Sequence, residues 1–213
     1  MNLSKLLHSM PLLAVLRYIK PEEVLAIGEV LMAAGIICLE VPMNSPHPCK
    51  SIELLAKAYG DAAFIGAGTV VDPADVRRIA DAGGQVIISP HTDVMVIQES
   101  KRLGLCCMPG FVTPTEAFTA LQAGADALKL FPAEGCSPSV LKALRAVLPK
   151  DIPIFLTGGV TPEKMPEYVK AGANGFGLGG ALYQPGDAPE MVAKKAKSFV
   201  EAMKAIPPKH CLI

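Results

Sequence analysis

Short aliphatic runs alternate with longer amphipathic stretches along the whole chain, and this alternation constrains the fold more than any other feature of the sequence. Strand-like runs fall at 11–17, 37–43, 63–70, 85–90, 105–111, 127–132, 152–159 and 175–180. The stretches between them carry helix-start signals: Pro21-Glu22-Glu23, Asp72-Pro73, Thr113-Pro114-Thr115-Glu116 and Thr161-Pro162-Glu163. Several close on Ala-Gly, at Ala34-Gly35, Ala82-Gly83, Ala123-Gly124 and Ala171-Gly172, where glycine accepts the left-handed conformation that ends a helix. Strands separated by helices of about 10–15 residues must pair in parallel, and near-continuous apolar runs suit strands buried on both faces. Eight such units predict a compact (β/α)8 TIM barrel, a single domain over 1–213 with its last helix near 189–204. The competing arrangement is a doubly wound open sheet, but no Gly-x-Gly-x-x-Gly follows the first strand to favour it.

Composition narrows the function classes. The chain has 213 residues, with 20 Lys+Arg against 20 Asp+Glu. Zero formal charge gives no broad field to draw nucleic acid or an anionic membrane. With 51% apolar and 19% charged residues the chain builds a sizeable core and is not disordered. The longest apolar run, Val30 to Leu39, is about half of the ~20 residues a membrane span needs, and Glu40 ends it. The N-terminus shows no secretory signal, so the expected compartment is the cytoplasm. The six cysteines, at 38, 49, 106, 107, 136 and 211, include no Cys-x-x-Cys pair, which argues against structural zinc, and they read as small buried hydrophobes. The tail around Cys211 reads as a frayed terminus. Histidines 8, 47, 91 and 210 have no metal-binding spacing; His47 and His91 follow strands and are either substrate contacts or solvated loop residues.

In a barrel, active sites form at the C-terminal strand ends, so polar residues that interrupt an apolar strand there are informative. Four do so: Arg17 ending the first strand, Glu40 within ICLEVPM, Thr69 ending AFIGAGT, and Lys129 within ALKLFP. Leu128 and Leu130 share one face, which aims Lys129 into the barrel with Phe131. Desolvation there lowers its pKa toward the neutral amine that attacks a carbonyl. The plain alternative is a lysine that snorkels or forms a structural ion pair. Glu40 shares a face with Cys38 and Pro42, opposite Ile37, Leu39 and Val41, and meets Lys129 across the lumen if both point inward. Thr69 and Arg17 add a hydroxyl and a guanidinium able to hold a carboxylate. A second constellation is glycine: Thr157-Gly158-Gly159 and Gly177-Leu178-Gly179-Gly180 end adjacent strands before expected helix starts, the place where barrels commonly bind phosphate. Tight turns needing positive φ are the alternative reading.

The motifs LEVPMNSP, GAGTV, ALKLFPAE, LTGGVTP and GLGGALY, spread from about Pro11 to about Met203, resemble those of the 2-keto-3-deoxy-6-phosphogluconate and 2-keto-3-deoxy-6-phosphogalactonate aldolases. This is a class I family of (β/α)8 homotrimers that needs neither cofactor nor metal. The resemblance implies that Lys129 forms a Schiff base, Glu40 transfers protons and Arg17 and Thr69 contact the pyruvoyl carboxylate. It also implies that the backbone at Gly158, Gly159, Gly179 and Gly180 binds phosphate. The implied partners are a phosphorylated keto-deoxy sugar acid, pyruvate and glyceraldehyde 3-phosphate. Asn44 with Pro42 resembles the galactonate branch, Thr157 the gluconate branch, and Ala181 stands where many members carry serine. A 4-hydroxy-2-oxoglutarate aldolase and a catalytically silent barrel that binds a phosphorylated metabolite are the alternatives.

Overall fold

A computed structural model describes residues 2–207; His210 and Cys211 lie outside them. In chain order the elements are α1 (Leu3–Ser9), β1 (Leu12–Val15), α2 (Val24–Ala34), β2 (Cys38–Pro42), α3 (Pro48–Tyr59), β3 (Phe64–Gly68), α4 (Pro73–Asp81), β4 (Val86–Ile88), α5 (Val94–Arg102), β5 (Cys106–Met108), β6 (Gly110–Phe111), α6 (Pro114–Gln122), β7 (Leu128–Leu130), a 3-10 turn (Ala133–Gly135), α7 (Pro138–Val147), β8 (Ile154–Thr157), α8 (Met165–Ala171), β9 (Gly175–Leu178) and α9 (Pro189–Ala205). The strands form one parallel sheet in the order β5-β4-β3-β2-β1-β9-β8-β7-β6.

The two edges of that sheet are consecutive in the chain. Residues 105–111, expected as one strand, are two segments broken at Pro109, which has no N–H to give to a ladder. Cys106–Met108 pairs with β4 and Gly110–Phe111 pairs with β7. The Pro109 carbonyl still accepts from Lys129 N at 2.8 Å, so this run closes the barrel by changing partners midway. The other strands are shorter than their apolar runs, and Arg17 and Thr69 sit in turns just past β1 and β3 rather than ending strands. The cause at Thr69 is its backbone, with φ 54°, which no strand tolerates.

Helix ends follow the sequence signals closely. Asp72 caps α4 by accepting from Ala74 N at 2.8 Å, and Thr113 with Glu116 makes a capping box on α6. Gly35, Gly83, Gly124 and Gly172 all have positive φ at or just past helix C-termini. Two expected starts are late: α2 begins at Val24 and α8 at Met165, the signal residues before them forming turns.

Alternation along the strands separates two apolar clusters. One lies between strands and helices and contains Leu39, Val41, Leu128, Leu130 and Leu156. The other fills the lumen with Leu13, Val15, Cys38, Phe64, Val86, Ile88, Met108, Ala127 and Phe155. Ile37, expected on the outer face with Leu39, instead packs against the lumen cluster, because it precedes the regular pleat of β2. Leu6 belongs to the lumen cluster as well, with Leu3 and Leu7 packed beside it. Their i, i+3, i+4 spacing puts them on one face of α1, which thereby closes the N-terminal end of the barrel.

Leu6 is fully buried, so Leu6→Ala leaves a cavity at that end and is expected to cost about 3 kcal/mol. Urea unfolding checks this as a lower midpoint at unchanged slope; a loss below about 1 kcal/mol would mean α1 contributes little to closing the barrel.

Candidate functional site

Glu40 on β2 and Lys129 on β7 both point into the lumen, being flanked in the chain by residues of the outer cluster, and both are buried. Gly68 on β3 makes room for Glu40: a Cβ at Gly68 would coincide with the Glu40 carboxylate. Oε2 of Glu40 is buried with no hydrogen-bond partner among the described residues. The Lys129 ammonium stands 4.9 Å from the centroid of the Phe131 ring.

Burial dominates the electrostatics of both groups. It pushes the Glu40 carboxyl up to about 7, with the charges of Lys129 and Arg17 pulling it part of the way back. Burial likewise holds Lys129 below the usual lysine value; Glu40 opposes this and Arg17 adds to it. A carboxyl raised to about 7 can give and take protons near neutrality, and an amine of lowered basicity has a larger nucleophilic fraction.

Arg17 joins three loops above this pair. Its Nη1 donates to Asn44 Oδ1 at 3.1 Å and to Thr69 Oγ1 at 3.4 Å. The same loops are tied through Ser45, whose hydroxyl accepts from Tyr18 N at 2.9 Å. Tyr18, His47 and Thr69 all have positive φ, a costly conformation for side chains of their size. Asn44 emerges here as the residue that orients Arg17.

On the other side of the barrel mouth a cavity of about 360 Å³ is lined by Arg17, Phe131, Glu134 and Thr157, and by the glycines Gly158, Gly159, Gly177, Gly179 and Gly180 with Ala181. Gly158 and Gly159 have positive φ, so a conformational requirement coexists with any ligand role. Gly177 gives Thr157 its space, since a Cβ there would strike the Thr157 hydroxyl. Regular helices do not start at this loop pair as expected. Those that follow begin at Met165 and Pro189, and the glycines lead instead into turns, one of them closed by Leu182 and Tyr183 N–H groups on the Gly179 carbonyl.

Two larger hollows, of about 840 Å³ near Cys49 and Arg78 and about 580 Å³ beside Asn2 and Asp126, contain none of these residues. Buried unpaired charge, rather than size, identifies the site. His47 occupies the N-cap position of α3 without a side-chain capping bond, and His91 stands 3.9 Å from Asp93 on the surface; neither lines the cavity. Among the described residues no group of three or more His, Cys, Asp or Glu is placed to hold a metal ion. Sequence reasoning missed Gly68 and Glu134. The GAG of GAGTV carried a signal for Gly68, as small residues facing a bulky polar one, and Glu134 closes the motif ALKLFPAE, where it was given no role.

Residues 3–194 match the family described as KDPG and KHG aldolase. The chain is 46% identical over 195 residues to the 2-dehydro-3-deoxy-6-phosphogalactonate aldolase of Escherichia coli (strain K12), covering 92% of this chain and 95% of that one. It is 28% identical to the 2-dehydro-3-deoxy-phosphogluconate aldolase of Zymomonas mobilis, covering 84% of this chain and 87% of that one. A solved structure described as native KDPGal superposes with a TM-score of 0.90 at 46% identity, over 92% of this chain and 95% of its own. Those matches run through every element that carries Lys129, Glu40 and the glycine loops, and the chain belongs to the KDPG and KHG aldolase family of carbon–carbon lyases.

Proposed function

We propose that this chain is a class I aldolase that cleaves 2-keto-3-deoxy-6-phosphogalactonate to pyruvate and glyceraldehyde 3-phosphate through a Schiff base on Lys129. The observation that carries this reading is the buried Lys129 together with a buried carboxyl, that of Glu40, whose Oε2 has no hydrogen-bond partner among the described residues. Galactonate is preferred to gluconate on the 46% against 28% identity, together with Asn44 held on Arg17.

The neutral Lys129 amine adds to the C2 ketone, and protonated Glu40 gives its proton to the carbinolamine hydroxyl, which leaves as water to give a protonated imine and an ionised Glu40. Glu40 then takes the C4 hydroxyl proton. The C3–C4 bond breaks, its electron pair moves into the iminium to form an enamine, and glyceraldehyde 3-phosphate leaves. Glu40 returns its proton to C3, and water hydrolyses the resulting imine to pyruvate and free Lys129. Arg17, with Thr69, holds the pyruvoyl carboxylate. The backbone at Gly158, Gly159, Gly179 and Gly180 receives the phosphate, and Thr157 and Asn44 contact the sugar-acid hydroxyls that differ between substrates.

We read the chain as one catalytic domain that assembles as a homotrimer. Val71, Val94, Met95, Val112 and Phe118, from consecutive units of the barrel, expose apolar surface of the kind subunit contacts cover; Val71 and Met95 are 53% and 61% exposed. Among the described residues, the thiols of Cys38, Cys49, Cys106, Cys107 and Cys136 are free, which suits a reducing compartment, the cytoplasm. Among the described residues no helix is long and apolar enough to cross a membrane.

Borohydride reduction in the presence of pyruvate is expected to attach one three-carbon unit to Lys129, seen by peptide mass spectrometry. An active enzyme with Lys129 unmodified would overturn the mechanism.

Exchange of the pyruvate methyl protons with solvent deuterium isolates the Glu40 step, because it needs no phosphate. Glu40 must be ionised to remove a C3 proton, so exchange should rise with pH through about 7, the value to which burial raises its carboxyl. Glu40→Gln should still trap pyruvate yet slow exchange by about 10²–10⁴-fold and lose that pH limb. Near-normal exchange in the variant removes Glu40 from the role.

Sedimentation should give three times the chain mass, and Met95→Glu should shift it to smaller species. A monomeric parent protein would count against the trimer.

A further inference from the structure

The cavity above β8 and β9 carries one cation and one anion on its wall, Arg17 and Glu134. Arg17 already donates to Asn44 and Thr69, which leaves the anion as the unexplained charge. Glu134 lies in the 3-10 turn Ala133–Gly135, and its side chain runs across the glycine pair that follows β8. A Cβ on Gly158 would strike Glu134 Oε2, and one on Gly159 would sit 3.1 Å from Glu134 Cδ and 3.3 Å from Oε1. The carboxylate is therefore at the surface that a phosphate must approach to reach the backbone of Gly158 and Gly159. Lys164, whose Nζ donates to the Gly159 carbonyl at 3.4 Å, is tied to the same loop without lining the cavity, and Glu40 and Lys129 lie buried in the lumen outside its lining.

A carboxylate beside an anion site repels a fully ionised ligand and accepts a strong O–H hydrogen bond from one that keeps a proton. The second ionisation of a phosphate monoester falls at about pH 6, so both forms are present near neutrality. A terminal carboxylate has no proton to offer there. Resting on the phosphate-aldolase reading above, we propose that Glu134 is a specificity-determining residue of the phosphate cavity. It selects the singly ionised phosphate monoester, whose P–OH donates to the Glu134 carboxylate, over the doubly ionised form and over a carboxylate in the same place. This separates phosphorylated substrates from 4-hydroxy-2-oxoglutarate by charge as well as by size.

The test uses glycerol 3-phosphate as an unreactive competitor of glyceraldehyde 3-phosphate in condensation with pyruvate, from pH 5.5 to 8.5. In the parent enzyme its inhibition constant should rise up to tenfold per pH unit above about 6. Glu134→Gln and Glu134→Ala should both flatten that rise while still trapping pyruvate under borohydride. They should also raise cleavage of 4-hydroxy-2-oxoglutarate relative to the phosphorylated substrate by about tenfold or more. Glu40 titrates in the same window in all three proteins, so the difference between profiles isolates Glu134. Parallel profiles in parent and variants would overturn the inference while leaving the aldolase reading intact. Failure of glycerol 3-phosphate to compete at any pH, with pyruvate still trapped, would remove the phosphate reading and this inference with it.

Discussion

Period-two alternation in a closed parallel barrel obliges every second strand residue to face a lumen that has no bulk water, and the site depends on which residues meet that obligation. Around most of the ring they are aliphatic or aromatic, as at Leu13, Val15, Phe64, Ile88, Met108 and Phe155. Lys129 and Glu40 are the charged exceptions. Each loses hydration that no hydrogen bond among the described groups replaces at Glu40 Oε2, so each is driven toward its neutral form. Their mutual attraction works against that drive without cancelling it. The outcome is a carboxyl that titrates near neutrality beside an amine of lowered basicity, whereas a tight ion pair would fix both charges and blunt the amine.

Such a pair needs space as well as burial, and glycine supplies it. Gly68 leaves the volume that the Glu40 carboxylate fills, and Gly177 leaves that of the Thr157 side chain. The rigid barrel also holds costly backbone above the pair. Positive φ at Tyr18, His47 and Thr69 costs of order 1–3 kcal/mol each. These turns carry Arg17, Asn44 and Thr69 into one hydrogen-bonded group. A β-branched residue in that conformation persists only where its surroundings over-determine it, as the paired strands beneath Thr69 do.

Which face Lys129 and Glu40 occupy was legible from the leucines and valines beside them, because period two is a local property. The closing of helices at Gly35, Gly83, Gly124 and Gly172 was legible for the same reason. Strand ends were not: apolar runs continue past the last ladder bond, so Arg17 and Thr69 read as strand residues although turn geometry holds them. The break at Pro109 was visible as a proline, but its consequence was not. The exchange of partners from β4 to β7 is a property of the closed ring, which no local window contains. Glu134 closes the motif ALKLFPAE, but its position across Gly158 and Gly159, 24 residues or more further along the chain, was not legible there.

Equal numbers of acidic and basic residues acquire a specific meaning at the barrel mouth. At about 27 residues per unit there is room for a strand, a helix and short connections, and none for a separate lid. The cavity walls are therefore backbone turns, with Arg17 engaged by Asn44 and Thr69 and with Glu134 facing it. In the proposed phosphate site, neutral N–H donors and a carboxylate would bind an anion by directed hydrogen bonds rather than by net attraction, and recognition would rest on shape and proton position. A surplus of lysines would have strengthened phosphate binding, but at a cost to the chemistry beneath. Cations close above the lumen depress the basicity of Lys129, as Arg17 already does, and also stabilise the ionised form of Glu40. Without such a surplus, burial remains the largest influence on both groups, raising the Glu40 carboxyl and lowering the Lys129 amine.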